Sequence, residues 1–64
     1  LMYFEVYQEQ HGALSPIVGP WRWRLRGANH ETIASGEGYQ NKNDCLHAIA
    51  LVQSTNNDTP IREP

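Results

Sequence analysis

Among its 64 residues the sequence has one cysteine, one lysine, one methionine and one phenylalanine. The scarcity of cysteine and that of lysine each remove a class of explanation. A lone thiol, Cys45, excludes an intramolecular disulfide and suits a reducing compartment, so a cytoplasmic location is expected. It also excludes a cysteine-built metal framework. The longest apolar run, Ala48 to Val52, falls far short of the roughly 20 residues that cross a bilayer, so no membrane partner is expected. The N-terminus lacks the basic and apolar regions of a signal peptide, and Leu1 ahead of Met2 reads as a fragment or an added residue. Lysine clusters are missing and the formal net charge is −2, with a pI near 5.8. That balance argues against a general nucleic-acid binder, though not against a local basic patch.

Size is the next constraint. The chain makes one domain, 1–64, with no room for a second. Surface scaling for 7.3 kDa gives a folded area of about 4,200 Å², with about 60% of the unfolded surface buried. Apolar burial at about 25 cal/mol/Å² and chain ordering at about 1.5 kcal/mol per residue then nearly cancel. With neither disulfide nor cysteine-held metal as a staple, a partner subunit is the expected support.

What is present is alternation. Met2 to Gln8 reads as a strand, with Phe4 and Val6 on one face and Tyr3, Glu5 and Tyr7 on the other. Glu9 to Pro20 reads as a long loop punctuated by Gly12, Pro16, Gly19 and Pro20, with Leu14, Ile17 and Val18 available to pin it. Trp21 to Arg26 alternates again: Trp21, Trp23 and Leu25 share one face, Arg22, Arg24 and Arg26 the other. Gly27 to His30 is a turn in which Asn29 is expected to take the positive φ. Thr32 to Ser35 returns as the second arm of a hairpin, with Ile33 on the core side. Gly36 to Tyr39 then breaks the strand and leads into a helix.

Asn41 is the expected N-cap, with Asp44 completing a weak capping box. Cys45, Leu46, Ala48, Ile49 and Val52 form the apolar face, and Leu51 falls outside it as a candidate partner contact. The helix should end near Ser54. Thr55 to Asp58 is a turn cluster, and Thr59 to Arg62 a short strand that Pro60 confines to an edge.

The candidate ligand face is Arg22, Arg24 and Arg26 with Tyr3 and Tyr7, a pattern able to hold a phosphate chain and stack bases. The competing reading, favoured by the overall acidity, is a solvated sheet face whose arginines pair with Glu5, Glu31 and Glu37. No catalytic or metal-ligating set emerges. Cys45 has no adjacent base on its face of the helix, since His47 points elsewhere. His11, His30 and His47 lie on different elements, and His47 with Asp44 makes half a metal site at most. Gly36-Glu37-Gly38 lacks the lysine and further glycines of a phosphate loop. Asn57-Asp58-Thr59 reads as a turn rather than a glycosylation site. No cofactor is expected.

Met2 to Tyr7, Trp21-Arg22-Trp23-Arg24-Leu25, Ala28-Asn29, Ile33-Ala34 and Gly36-Glu37-Gly38-Tyr39 together resemble the YegP-like family, also called DUF1508 or UPF0339. The helix and the tail Asp58-Thr59-Pro60-Ile61 continue the resemblance. It implies an α+β fold, a β-β-β-α-β unit with an antiparallel sheet packed on one helix. It also implies that two units share one sheet by swapping C-terminal strands, here about 59–62. The candidate dimer contacts are then Leu51, Thr59, Pro60, Ile61 and Arg62. The 9–20 loop is longer than the family's turn, His30 replaces a frequent glycine, and Ala50 and Leu51 are more apolar than usual. The family has no established biochemical activity, so the resemblance implies architecture only. The function expected is a small non-enzymatic structural or interaction module acting as a strand-swapped homodimer, with an unknown protein partner possible. The alternative is weak binding of single-stranded nucleic acid or a phosphate ligand through the arginine and aromatic face.

Overall fold

Side chains that alternate apolar and charged build a sheet with two unlike faces, and one amphipathic helix covers the apolar one. The structure, a computed structural model, describes residues 1–10 and 18–64. The elements are β1 (Tyr3–Gln10), β2 (Val18–Arg26), β3 (Thr32–Tyr39) and α1 (Lys42–Gln53). The strands form one antiparallel sheet in the order β1-β2-β3. β1 and β2 thus extend into both ends of the expected 9–20 loop, and the pinning role expected of Leu14, Ile17 and Val18 lies outside the described side chains.

Register sets the faces. Phe4 opposes Leu25 and Val6 opposes Trp23, while Leu25 and Trp23 oppose Ala34 and Gly36 on the other side. These residues line the apolar face, and α1 packs on it. The core consists of Trp23, Cys45 and Ile49, with Phe4, Val6, Trp21, Leu25, Ala34, Tyr39, Ala48 and Val52 packed around it only partly buried. Phe4 and Trp23 meet as tilted rings with centroids 5.9 Å apart.

Two sequence expectations about β3 are corrected here. Ile33 is not core but 56% exposed. The register slips between Leu25 and Arg26, and Ala34 takes the inward position instead. Gly36 to Tyr39 does not break the strand; it continues β3 through a second irregularity, where Gly38 takes a φ of 88°. That conformation suits glycine and accommodates the extra residue of a bulge. Gly36 has a different reason to be glycine. A Cβ there would stand 2.2 Å from Nε1 of Trp23, so the indole lies directly across the backbone of β3. Nε1 also donates to the Tyr39 hydroxyl at 3.3 Å.

In the turn, His30 rather than Asn29 carries the positive φ, 64°. His30 N–H donates to the Gly27 carbonyl at 2.9 Å and Gly27 N–H to the Glu31 carbonyl at 2.8 Å, which puts the left-handed residue last in the turn. Asn29 instead uses Oδ1 to accept from Glu31 N–H at 3.2 Å.

α1 begins as expected. Asn41 Oδ1 accepts from Asp44 N–H at 2.9 Å, and the Asp44 carboxylate takes the Asn41 side-chain amide at 3.0 Å. Ser54 and Thr55 close the far end by donating their hydroxyls to the carbonyls of Leu51 and Val52. Leu46 is a correction: at 42% exposed it flanks the buried face. Leu51 lies off that face as expected, 57% exposed. After the helix, Asn56 anchors a turn by accepting from Asp58 N–H at 2.7 Å, and Thr59 N–H donates to the Asn56 carbonyl at 3.0 Å. The strand expected at 59–62 does not form within the single chain. Residues 60–64 have no regular structure, and Ile61 is 95% exposed. Among the described residues no helix is long and apolar enough to cross a membrane.

Candidate functional site

The period of two that turns Trp23 and Leu25 toward the helix also turns Arg22, Arg24 and Arg26 to the uncovered face of the sheet. The β1 register then brings their partners alongside. Tyr3 opposes Arg26, Glu5 opposes Arg24 and Tyr7 opposes Arg22. The five residues of the candidate ligand face are therefore gathered on one surface.

They are also engaged with one another and with carboxylates. Arg22 donates Nε and Nη2 to Glu9 Oε2 at 3.2 and 3.0 Å, and its Nη1 stands 3.1 Å from Glu37 Oε2. Arg24 and Arg26 both donate Nε to the same oxygen of Glu5, at 2.7 and 2.9 Å. Arg26 Nη1 donates further to the His30 carbonyl at 2.6 Å. The Arg24 guanidinium lies 4.7 Å from the centre of the Tyr7 ring, a cation–π contact. Tyr3 bonds His30 Nδ1 through its hydroxyl at 2.8 Å, with the two rings edge to face.

The charges move the titrations as these contacts require. Hydrogen bonds from Arg24 and Arg26 hold the Glu5 carboxyl below its ordinary value of 4.5. Glu9 and Glu5 raise the guanidinium values of Arg22 and Arg24 in turn. Two of the three expected acidic partners, Glu5 and Glu37, are thus in place. Glu31 is not; its carboxylate takes the Asn29 side-chain amide at 3.3 Å. Glu9, assigned to the loop by its sequence neighbours, replaces it. The signal for Glu9 was its phase: continuing the alternation Tyr3, Glu5, Tyr7 by one step reaches it.

The other candidate groups stay apart. Cys45 is fully enclosed, and burial pushes its thiol above the ordinary value. Among the described residues no three His, Cys, Asp or Glu side chains gather around a point where an ion could sit. Leu51 on the helix and Thr59, Pro60, Ile61 and Arg62 in the tail are all exposed.

The arrangement defines a class of protein: a small α+β unit whose three-stranded sheet has open edges, one helix, and a solvent-facing surface of paired charges. The chain belongs to the family described as a domain of unknown function, DUF1508, whose pattern matches residues 18–63. It is similar to a UPF0339 protein of Neisseria meningitidis serogroup B, 48% identical over 62 residues, covering 97% of this chain and 98% of the relative. A UPF0339 protein of Treponema denticola is 33% identical over 60 residues, covering 94% and 91%. One from Agrobacterium fabrum is 36% identical over 50 residues, covering 78% and 69%.

Proposed function

We propose that this chain is a non-enzymatic structural or interaction module that works as a homodimer exchanging its C-terminal segments as strands. The tail carries this reading. Ile61 is 95% exposed on a segment, 60–64, that has no regular structure and pairs with no strand of its own chain. The family pattern reaches Glu63, so the tail belongs to the recurring unit rather than to an appendage.

Shape and area support it. The radius of gyration is 14.1 Å, against about 10.7 Å for a compact chain of this length. The accessible surface is 5265 Å², roughly 1,100 Å² more than the scaling value for a compact domain. Covering that excess on two copies would bury about 2,200 Å², within the range of obligate dimers. Pairing the tail with an open sheet edge on the partner satisfies its backbone groups, and Ile61 and Leu51 then have apolar surface to meet.

The non-enzymatic reading rests on how the reactive groups are used. Cys45 is sealed beneath Trp23 and Ile49, His30 is bound to Tyr3, and the arginines are held by glutamates. A free thiol in the core suits a reducing compartment, the cytoplasm. Binding of an extended single strand of nucleic acid is the less supported reading, because Arg22 stands between two carboxylates and interrupts the stripe as a continuous cationic track.

Deletion of Thr59 to Pro64 tests the proposal. Light scattering should give a dimer for the full chain, and the truncated chain should lose both the dimer and most of its dispersed NMR spectrum. A truncated chain that stays folded as a monomer would overturn the exchange.

A further inference from the structure

Counted by position, the charges on the polar face are not evenly balanced. At one end Arg22 stands between Glu9 and Glu37, one cation with two carboxylates. At the hairpin end Arg24 and Arg26 share Glu5, two cations with one. On the β3 side these two arginines oppose Ser35 and Thr32, hydroxyls that neutralise nothing. Glu31, the acid next in line along the hairpin, makes no ion pair with either among the described residues and is bonded to Asn29. Residues 11–17 contain no acid that could restore the balance.

Arg24 is the less committed of the pair. Its Nε is tied to Glu5 and its plane rests near Tyr7, while Nη1 and Nη2 have no hydrogen-bond partner among the described residues. Those two nitrogens form the fork that takes a phosphate or carboxylate by parallel hydrogen bonds. The tether to Glu5 and the contact with Tyr7 already restrict the side chain, so little further freedom is lost when an anion arrives.

We propose that the hairpin end of this face is a binding site for a small phosphate-class oxyanion, gripped by the terminal nitrogens of Arg24 and completed by the charge of Arg26. The site is built within one chain and stands whether or not two chains exchange tails.

The test uses the full chain and follows its arginine Nε–Hε NMR signals through a titration with inorganic phosphate, against sodium chloride at matched ionic strength. Phosphate should give saturable shifts at Arg24 and Arg26 that chloride does not reproduce. Arg24→Gln should weaken binding roughly tenfold, as loss of a charge-assisted pair does, and Arg22→Gln less than about twofold. Arg24→Lys, which keeps the charge and loses the fork, should fall between, and it replaces the glutamine variant if that one unfolds. Non-saturating shifts shared with chloride, or equal weakening by Arg22→Gln, would overturn the site. So would binding of a short oligothymidylate, with none of inorganic phosphate, to which all three arginines contribute alike. That result would describe an extended polyanion track instead.

Discussion

The two sides of β2 offer a direct comparison, because one strand supplies both. On one side Trp23 and Leu25 meet Phe4, Val6, Ala34 and the helix; on the other, Arg22, Arg24 and Arg26 meet Glu5, Glu9 and Glu37. Both sides are densely partnered, yet they contribute differently to folding. Burial of an indole removes apolar area from water in proportion to its size. An ion pair that stays wet gains little over its hydrated parts and is weakened by salt. The stability of the sheet therefore lies on the tryptophan side. The arginine side contributes solubility, register and a charge pattern.

The comparison can be broken most sharply at Trp23. Trp23→Ala should cost about 3–5 kcal/mol, comparable with the whole stability of a small domain. A thermal melt matching the parent would show that the indole is not structural. Gly36→Ala tests the same contact from the other strand. Its Cβ would overlap Trp23 Nε1, and the forced shift should cost about 1–3 kcal/mol. The penalty should shrink in a Trp23→Phe background, and a double-mutant cycle with no coupling would sever the two.

On the polar side the effects are smaller. His30→Gly relieves a positive φ and loses the Tyr3 contact, so a net gain of no more than about 1 kcal/mol is expected from chemical denaturation. Glu5→Gln should matter least to stability at neutral pH and most to its acid dependence. The folded carboxyl titrates below its ordinary value of 4.5, so its contribution is present above that value and is lost as pH falls through the depressed one. The parent should lose stability over that acid window, and Glu5→Gln should flatten the slope there. An unchanged acid profile would remove Glu5 from the account.

Much of this was legible in the residue order. The alternation of Trp21 to Arg26 separates the faces without ambiguity, and Asn41 with Asp44 marks the start of the helix. Ile33 lies on the outer face because the register slip between Leu25 and Arg26 turns Ala34 and Gly36 inward, and the short run Thr32 to Ser35 carries no alternation that would mark that phase. His30 was missed because Asn is the better left-handed residue in isolation, whereas hairpin register decides which position must adopt that conformation. Glu9 was lost in a loop whose first residues in fact prolong β1. The phosphate site depends on how three glutamates are divided among three arginines, and no alternation pattern records that division.

The placement of the two tryptophans makes the protein its own optical probe. Trp23 is buried against Cys45, Ile49 and Phe4, whereas Trp21 is half-buried with the Lys42 ammonium 5.6 Å from its ring centre. Emission from the first should be blue-shifted and should move to the red only when the core opens. The second should respond to the state of the helix start, through a cation beside its indole. A Trp21→Phe chain would leave a single tryptophan at the centre of the fold, and a Trp23→Phe chain a single one at its margin, each excited selectively at the red edge of the indole band. Unfolding in a cuvette could then be followed at both places without attaching any dye.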